Sequence, residues 1–477
     1  MGHVLRPYDR MRNMMLQPEL FKIRPERLQA IQHQLDEGGV EFVRFEQTDT
    51  HGTSRSKTVP TRHFRRFASS GLNFLLGQLG FDVQGGVAMG SGYLEDLGFP
   101  DSRIFPDLDS FTLVPWADQT ASILCEPRFE DGRPAMAAPR AIARGLLGEL
   151  ESMGYGFYSG FEYEFYLVNR ETRQPPFPGI QIFSTLRNNF DPAIVDQILL
   201  DMPKVGVDII TSNSEYGPGQ MEINFAPAAG ISAADHAFRF KNGVKEIAQR
   251  QGYMASFMTK PYADQSASGC HYHHSLTDLK TGKNAFSNAE PPFALNDVCR
   301  WWLGGQIKHA AAICALASPT INCYKRYKQW SFAPTNATWG TENRTVGVRV
   351  KGLSGEGVHL ENRTPGGASN PYLVMAAILA AGIDGLRNHI EPPAPVEKIA
   401  YGMEGVENLP AGLPQALDAL EADAPLRALL GEEFIHLYLA VKRHEITKAA
   451  DHGADASSDG FLNRVEQYEV DEYFEFL

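Results

Sequence analysis

Five glutamates, two histidines and four arginines occur in this chain in patterns that suit chemistry on phosphate. Glu162 and Glu164 stand two residues apart in Gly160–Leu167, G-F-E-Y-E-F-Y-L. That stretch is β-prone, and side chains on a strand alternate faces, so both carboxylates point one way and Phe161, Tyr163 and Phe165 the other. Two like charges on one face call for a cation, and hard divalent metals are natural partners for oxygen ligands. A solvated acidic face is the simpler alternative. Glu215 and Glu222 flank Gly217-Pro218-Gly219, a turn that can bring them together or leave two exposed glutamates on a hairpin. His271 and His273 share a face if Gly269–Ser275 is a strand. One is then a candidate metal ligand and the other a donor to phosphate, unless both are structural. Arg326, Arg344, Arg349 and Arg363 supply forks that fit carboxylate and phosphate oxygens, although any one alone is as easily a surface salt-bridge residue. Glu361 shares the face of Arg363 if that segment is extended. Jointly these residues suit two divalent metals, a nucleoside triphosphate and an anionic substrate, the charge neutralisation that phosphoryl transfer needs. The chain has no P-loop, no G-x-G-x-x-G fingerprint and no G-x-S-x-G elbow.

These groups need elements to hold them. Pro25–Glu37 reads as a helix closed by Gly38-Gly39. Glu41–Thr48 and Ser54–Val59 read as a hairpin around Asp49–Gly52. The glycine-rich run 71–91 reads as loop, Leu108–Trp116 and Ala121–Glu126 as strands. A boundary near Gly132–Ala138 separates a small strand-rich domain, 1–133, from a larger one, 134–477. Pro139 starts a helix whose apolar face is Ile142, Leu146, Leu147, Leu150 and Met153, and the Glu162–Glu164 strand follows. A loop at Pro175–Phe183, a helix near Pro192–Leu200, a hairpin over Val207–Phe225 and a helix at Ala233–Gln251 come next. Tyr253–Met258 and His271–Leu276 read as strands, Asp297–Ala317 as one helix, Pro371–Asn388 as another capped by Asn370, and Leu413–Leu477 as mainly helical.

With 477 residues the chain has room for a large core, and a net charge of −13 disfavours nucleic acid as a bulk partner. Five cysteines without a C-x-x-C pair fit a reducing, cytoplasmic setting. Met1–Leu20 lacks the apolar core of a signal peptide. The longest apolar run, Leu373–Ile383, is too short to span a bilayer, so no membrane association is expected.

The order of motifs resembles the glutamine synthetase family. E-Y-E is followed by E-Y-G-P-G-Q-M-E, S-G-C-H-Y-H, N-C-Y-K-R, E-N-R-T-V-G-V-R and L-E-N-R-x-P-G-G-x-x-N-P-Y. The N-terminal F-x-x-T-D-x-x-G and P-D-L-D-S-F-T-L-V-P-W are similar too. The resemblance implies an α+β fold: an N-terminal β-grasp domain and a catalytic domain with a curved antiparallel sheet flanked by helices. It implies a homo-dodecamer of two hexameric rings with active sites shared between subunits. It implies ATP and two or three Mg²⁺ or Mn²⁺ ions, with L-glutamate activated as γ-glutamyl phosphate before an amine displaces phosphate. By motif, Glu164, Glu215 and Glu222 correspond to ligands of the metal near glutamate, and Glu162, His271 and Glu361 to ligands of the one at the ATP phosphates. His273 and Ser275 fall at the nucleotide, Arg344 and Arg349 at phosphate oxygens, and Arg326 and Arg363 at glutamate and the transferred phosphoryl.

The departures bear on substrate. Phe332 stands where ammonia-using members have a glutamate, and Leu75 where they have an aspartate. An apolar pocket lacks the anionic cage that ammonium needs and suits a neutral amine with a hydrocarbon body. The resemblance is therefore nearest to γ-glutamylanilide and γ-glutamylalkylamide synthetases, with aniline-type or short alkylamines such as isopropylamine as substrates. An ordinary glutamine synthetase, a polyamine ligase and a catalytically retired structural protein are the alternatives. Ser266-Ala267, His359, Glu356 and Ile210 also depart from the family pattern, at positions tied to glutamate or nucleotide.

Overall fold

The computed structural model describes residues 24–129, 131–179, 182–287, 295–352 and 355–477. The expectation for Met1–Leu20 and part of that for the loop at Pro175–Phe183 lie outside the described residues. Two sheets organise the rest. The first is built from β1 (Phe42–Thr48), β2 (Ser54–Pro60), β3 (Leu72–Leu75), β4 (Asp101–Pro106), β5 (Thr112–Leu113) and β6 (Thr120–Phe129). Its order is β2-β1-β6-β4-β3, with β5 on β6 and a parallel β1–β6 pair at its centre. The helices Pro25–Glu37 and Phe64–Ser70 supply Leu28, Ile31, Leu35 and Phe64 to a core shared with Val43, Phe45, Ile104 and Ile123. A mixed sheet packed against a helix is consistent with the expected β-grasp.

The second sheet comprises β7 (Tyr155–Asn169), β8 (Ile209–Ser214), β9 (Gln220–Phe225), β10 (Ala228–Ala229), β11 (Tyr253–Ser256), β12 (Cys270–Asp278), β13 (Trp339–Thr341), β14 (Val348–Lys351) and β15 (His359–Asn362). Its order is β13-β14-β15-β12-β7-β9-β8, with β10 and β11 also on β7. Every pair is antiparallel except β13–β14. On β7 the alternation is clean: Phe161, Tyr163 and Phe165 are buried in the large core, while Glu162 and Glu164 face the other way and are partly exposed. The core is closed by helices Pro139–Ser152, Ser232–Arg250 and Pro371–Asn388. Asn370 caps the last of these by accepting from the Tyr372 amide at 3.0 Å.

Three sequence expectations need correction. Within the glycine-rich run, Leu72–Leu75 is a strand paired with β4. It is launched by Gly71 at φ 75, where a Cβ would sit 2.9 Å from the Phe105 ring. Leu108–Trp116 is not one strand. The Asp107 side chain accepts from the Asp109 amide and winds Leu108–Ser110 into a 3₁₀ turn, so that only Thr112–Leu113 pairs. The helix expected over Asp297–Ala317 is two, Asp297–Lys308 and Ala310–Ala317. The break is His309, whose imidazole is held between Asp384 at 2.8 Å and Asp423 at 2.6 Å. Among the described residues, no helix is long and apolar enough to cross a membrane.

Candidate active site

Strand register lines up the acidic and basic side chains. Glu222 on β9 lies opposite Glu164 on β7, and Glu162 on β7 opposite His271 on β12. Glu361 on β15 lies opposite His273 on β12 and Arg349 on β14. Directly opposed residues have Cβ atoms about 5 Å apart, so five strands present one continuous row from Glu222 to Arg349. Glu215 joins it from the β8–β9 turn. There Gly219 takes φ 79, and the Glu215 amide donates to the Gln220 carbonyl at 2.9 Å.

Glu162, His271 and Glu361 offer ligand atoms that all lie within 4.8 Å of one another, and among the described residues they are the one group of three that does so. His271 Nδ1 is 2.8 Å from Glu162 Oε1 and 3.7 Å from Glu361 Oε1. Arg326 Nη2 lies 3.3 Å from His271 Nε2. Because arginine can only donate, Nε2 accepts and Nδ1–H faces the carboxylates, a proton that a cation bound at Nδ1 would displace. Burial and the Arg363 charge keep the imidazole below its ordinary pKa, hence neutral. Burial pushes the Glu162 carboxyl up, but hydrogen bonds from His271 and His273 outweigh it and hold the group well below the carboxylate range. Glu361 is likewise penalised by burial, yet Arg363 and the histidines bring it to about 2. Two ionised carboxylates and one neutral imidazole fit a divalent cation such as Mg²⁺ or Mn²⁺.

The glutamate-side group is arranged differently. Glu164 is oriented by the Gly269 amide and by Gln220 Nε2, both 3.1 Å from Oε2. Glu215 is pushed up by burial and by the charge of Glu164. Glu222 is pushed up by burial and by Glu162 and Glu164. Clustered carboxylates of this kind fit a second divalent ion, which Glu164, Glu215 and Glu222 would hold.

The arginines frame the row unevenly. Arg363 is fully buried; it pairs with Glu361 and donates to the Phe332 carbonyl at 3.0 Å. Arg349 donates to Glu361 Oε2 at 3.2 Å and pairs with Glu342. Buried Arg326 donates to the Arg363 and Thr364 carbonyls. The Nε atoms of Arg349 and Arg363 are buried and have no hydrogen-bond partner among the described residues, which leaves donors for an anion at this end of the row. Arg344 is exposed on the loop before β14 and makes no ion pair among the described residues.

Beside Glu162 opens a cleft of about 470 Å³. His273 and Ser275 line it, as do Ile210, Glu356 and His359, three of the positions where the sequence departs from its resemblance. Tyr158, Thr211, Asn224 and Phe225 also line it. Sequence reading missed these four because strands far apart in the chain bring them together. Phe332 lies 46% exposed on the loop that Arg363 holds, its ring stacked on Tyr216, which follows Glu215. Leu75 sits on β3 of the other sheet, paired with Asp101. Within one chain it therefore belongs to a different layer from Phe332.

A family model for the catalytic domain of glutamine synthetase matches residues 136–457. Glutamate–isopropylamine ligase from a Pseudomonas species is 34% identical over 429 residues, 87% of this chain and 93% of that protein. Lengsin from Homo sapiens is 33% identical over 446 residues, 88% of this chain and 83% of that protein. A solved GmaS–ADP complex superposes with a TM-score of 0.78 at 29% identity, covering 92% of this chain and 98% of that one.

Proposed function

The chain belongs to the glutamine synthetase family of ATP-dependent ligases, and we propose that it joins the γ-carboxylate of L-glutamate to a primary amine with an apolar body, an arylamine of the aniline type or a short alkylamine such as isopropylamine. The observation that carries the reaction is the row of carboxylates on β9, β7 and β15, joined by the β12 histidines and ending in buried arginines. The amine rests on Phe332, an uncharged side chain next to the Glu215 end of that row.

In this reading Glu162, His271 and Glu361 hold the metal at the ATP phosphates, and Glu164, Glu215 and Glu222 the metal near glutamate. Bound there, divalent ions withdraw charge from phosphoryl and carboxylate oxygens. His273 and Ser275 face the nucleotide in the cleft beside Glu162, and Arg344 and Arg349 meet its phosphate oxygens. The glutamate γ-carboxylate attacks the γ-phosphorus and ADP leaves. Arg326 and Arg363 balance the negative charge of the resulting acyl phosphate. The amine lone pair then attacks the acyl carbon, phosphate departs, and the nitrogen loses a proton. Phe332 leaves the amine's approach without the carboxylate that would retain a cation, so the nucleophile arrives neutral. The same proposal includes the division at 133/134, a homo-dodecamer with shared sites and a cytoplasmic setting. Its test is glutamate-dependent phosphate release from ATP with a series of amines. Isopropylamine and aniline are expected to drive turnover, and turnover with ammonium alone contradicts the reading.

A further inference from the structure

Phe332 does not stand alone. Its ring lies against Tyr216 with centroids 6.1 Å apart and planes at 19°. Two residues earlier, Trp330 meets Tyr401 at 5.7 Å and 60°. The hydroxyl of Tyr401 is buried without a hydrogen-bond partner among the described residues. It sits beside the Phe332 backbone, in the field of Arg363 and Arg326. The two ring pairs thus form one aromatic rim on the loop that the Arg363 guanidinium grips.

That rim is large, apolar and open. Trp330 is 70% exposed and Tyr216 42%. Trp330 and Phe332 both take positive φ, 65 and 58, a conformation that residues with a Cβ avoid unless the surroundings impose it. The imposition is visible: the Ser331 hydroxyl donates to the Arg326 carbonyl at 2.9 Å, and Arg363 holds the Phe332 carbonyl. The loop Lys328-Gln329-Trp330-Ser331-Phe332 carries no carboxylate, and its one charge is positive. A neutral ring gains area and stacking on such a rim.

We propose that Tyr216, Phe332, Trp330 and Tyr401 form the amine-binding wall and that the preferred amine is a neutral arylamine. Its ring covers the exposed faces of Phe332 and Trp330 while its nitrogen points to the carboxylate row. This rests on the ligase reading above and deepens it. A short alkyl group covers the nearest ring only, so Trp330 is the residue that separates aryl from alkyl substrates.

The test compares kcat/KM for aniline and isopropylamine in the full-length enzyme with Mg²⁺, ATP and glutamate. Trp330→Ala is expected to lower the aniline-to-isopropylamine ratio about tenfold, the scale of one aromatic contact, and Trp330→Phe to restore most of it. A ratio unchanged within about twofold overturns the proposal. If the mass of the assembly changes at the same time, Trp330 belongs to a subunit contact instead. Unmutated enzyme that uses isopropylamine but not aniline sinks the aryl inference and leaves the ligase reading standing. Enzyme that uses no amine removes both.

Discussion

At Phe332, in the proposed reading, one side chain sets neutral amine against ammonium. It stacks on Tyr216, and its own carbonyl is fixed by Arg363, so the position can be recharged without moving its backbone contact. Phe332→Glu is expected to shift relative kcat/KM toward ammonium by about tenfold or more, since a carboxylate there attracts the cation and accepts its proton. The ammonium-to-isopropylamine ratio measures this, and an unchanged ratio removes Phe332 from the amine site. Single residues were legible where a motif carried them: Glu162, His271 and Glu361 were paired from sequence and lie within ligand reach of one another. Trp330, Tyr216 and Tyr401 were not legible as a group, because their contacts join residues far apart in the chain. Positive φ at Trp330 and Phe332 leaves no mark in residue type.

At the scale of elements, β-pairing makes scattered motifs into a site. The period of two places Glu162 and Glu164 on one face, and the register with β12 and β9 supplies His271 and Glu222. Gly269, at the start of β12, shows how tight the fit is. An added Cβ would lie 2.8 Å from Arg326 Nη2 and 3.1 Å from Glu164 Oε1. Gly269→Ala must therefore displace the arginine's tip, a small cost in stability but a misplaced charge at the site. The expected result is a fall in kcat/KM of about a hundredfold with Tm nearly unchanged. Full activity would mean that Arg326 has room to spare. Hairpins and capped helices were readable because their signals are local, as at Asp49–Gly52 and Asn370. The strand Leu72–Leu75 and the break at His309 were not, since β4 and the pair Asp384 and Asp423 impose them from a distance.

In the whole molecule, the acidic row links metal, protons and stability. Glu215 and Glu222 have folded pKa values above the ordinary 4.5. Metal-free, the folded state holds more protons than the unfolded chain between that value and the raised ones. Their contribution to stability is thus full below pH 4.5 and is lost as pH rises through the raised values. If Glu215 and Glu222 hold Mg²⁺ as proposed, its binding replaces those protons and its stabilisation should grow with pH. It reaches about 3 kcal/mol where Mg²⁺ exceeds Kd a hundredfold. Tm measured with and without Mg²⁺ at pH 6 and pH 8 is expected to show the larger rise at pH 8. An equal rise at both would mean that the two carboxylates are not ligands.

The central claim is a ligase that couples glutamate to an apolar amine. It is tested most directly by glutamate-dependent phosphate release from Mg²⁺–ATP with ammonium, isopropylamine, aniline and putrescine, each at matched free-base concentration. The account expects isopropylamine and aniline to exceed ammonium and putrescine in kcat/KM by at least about tenfold. Turnover with ammonium as the best substrate, or with no amine at all, would contradict it.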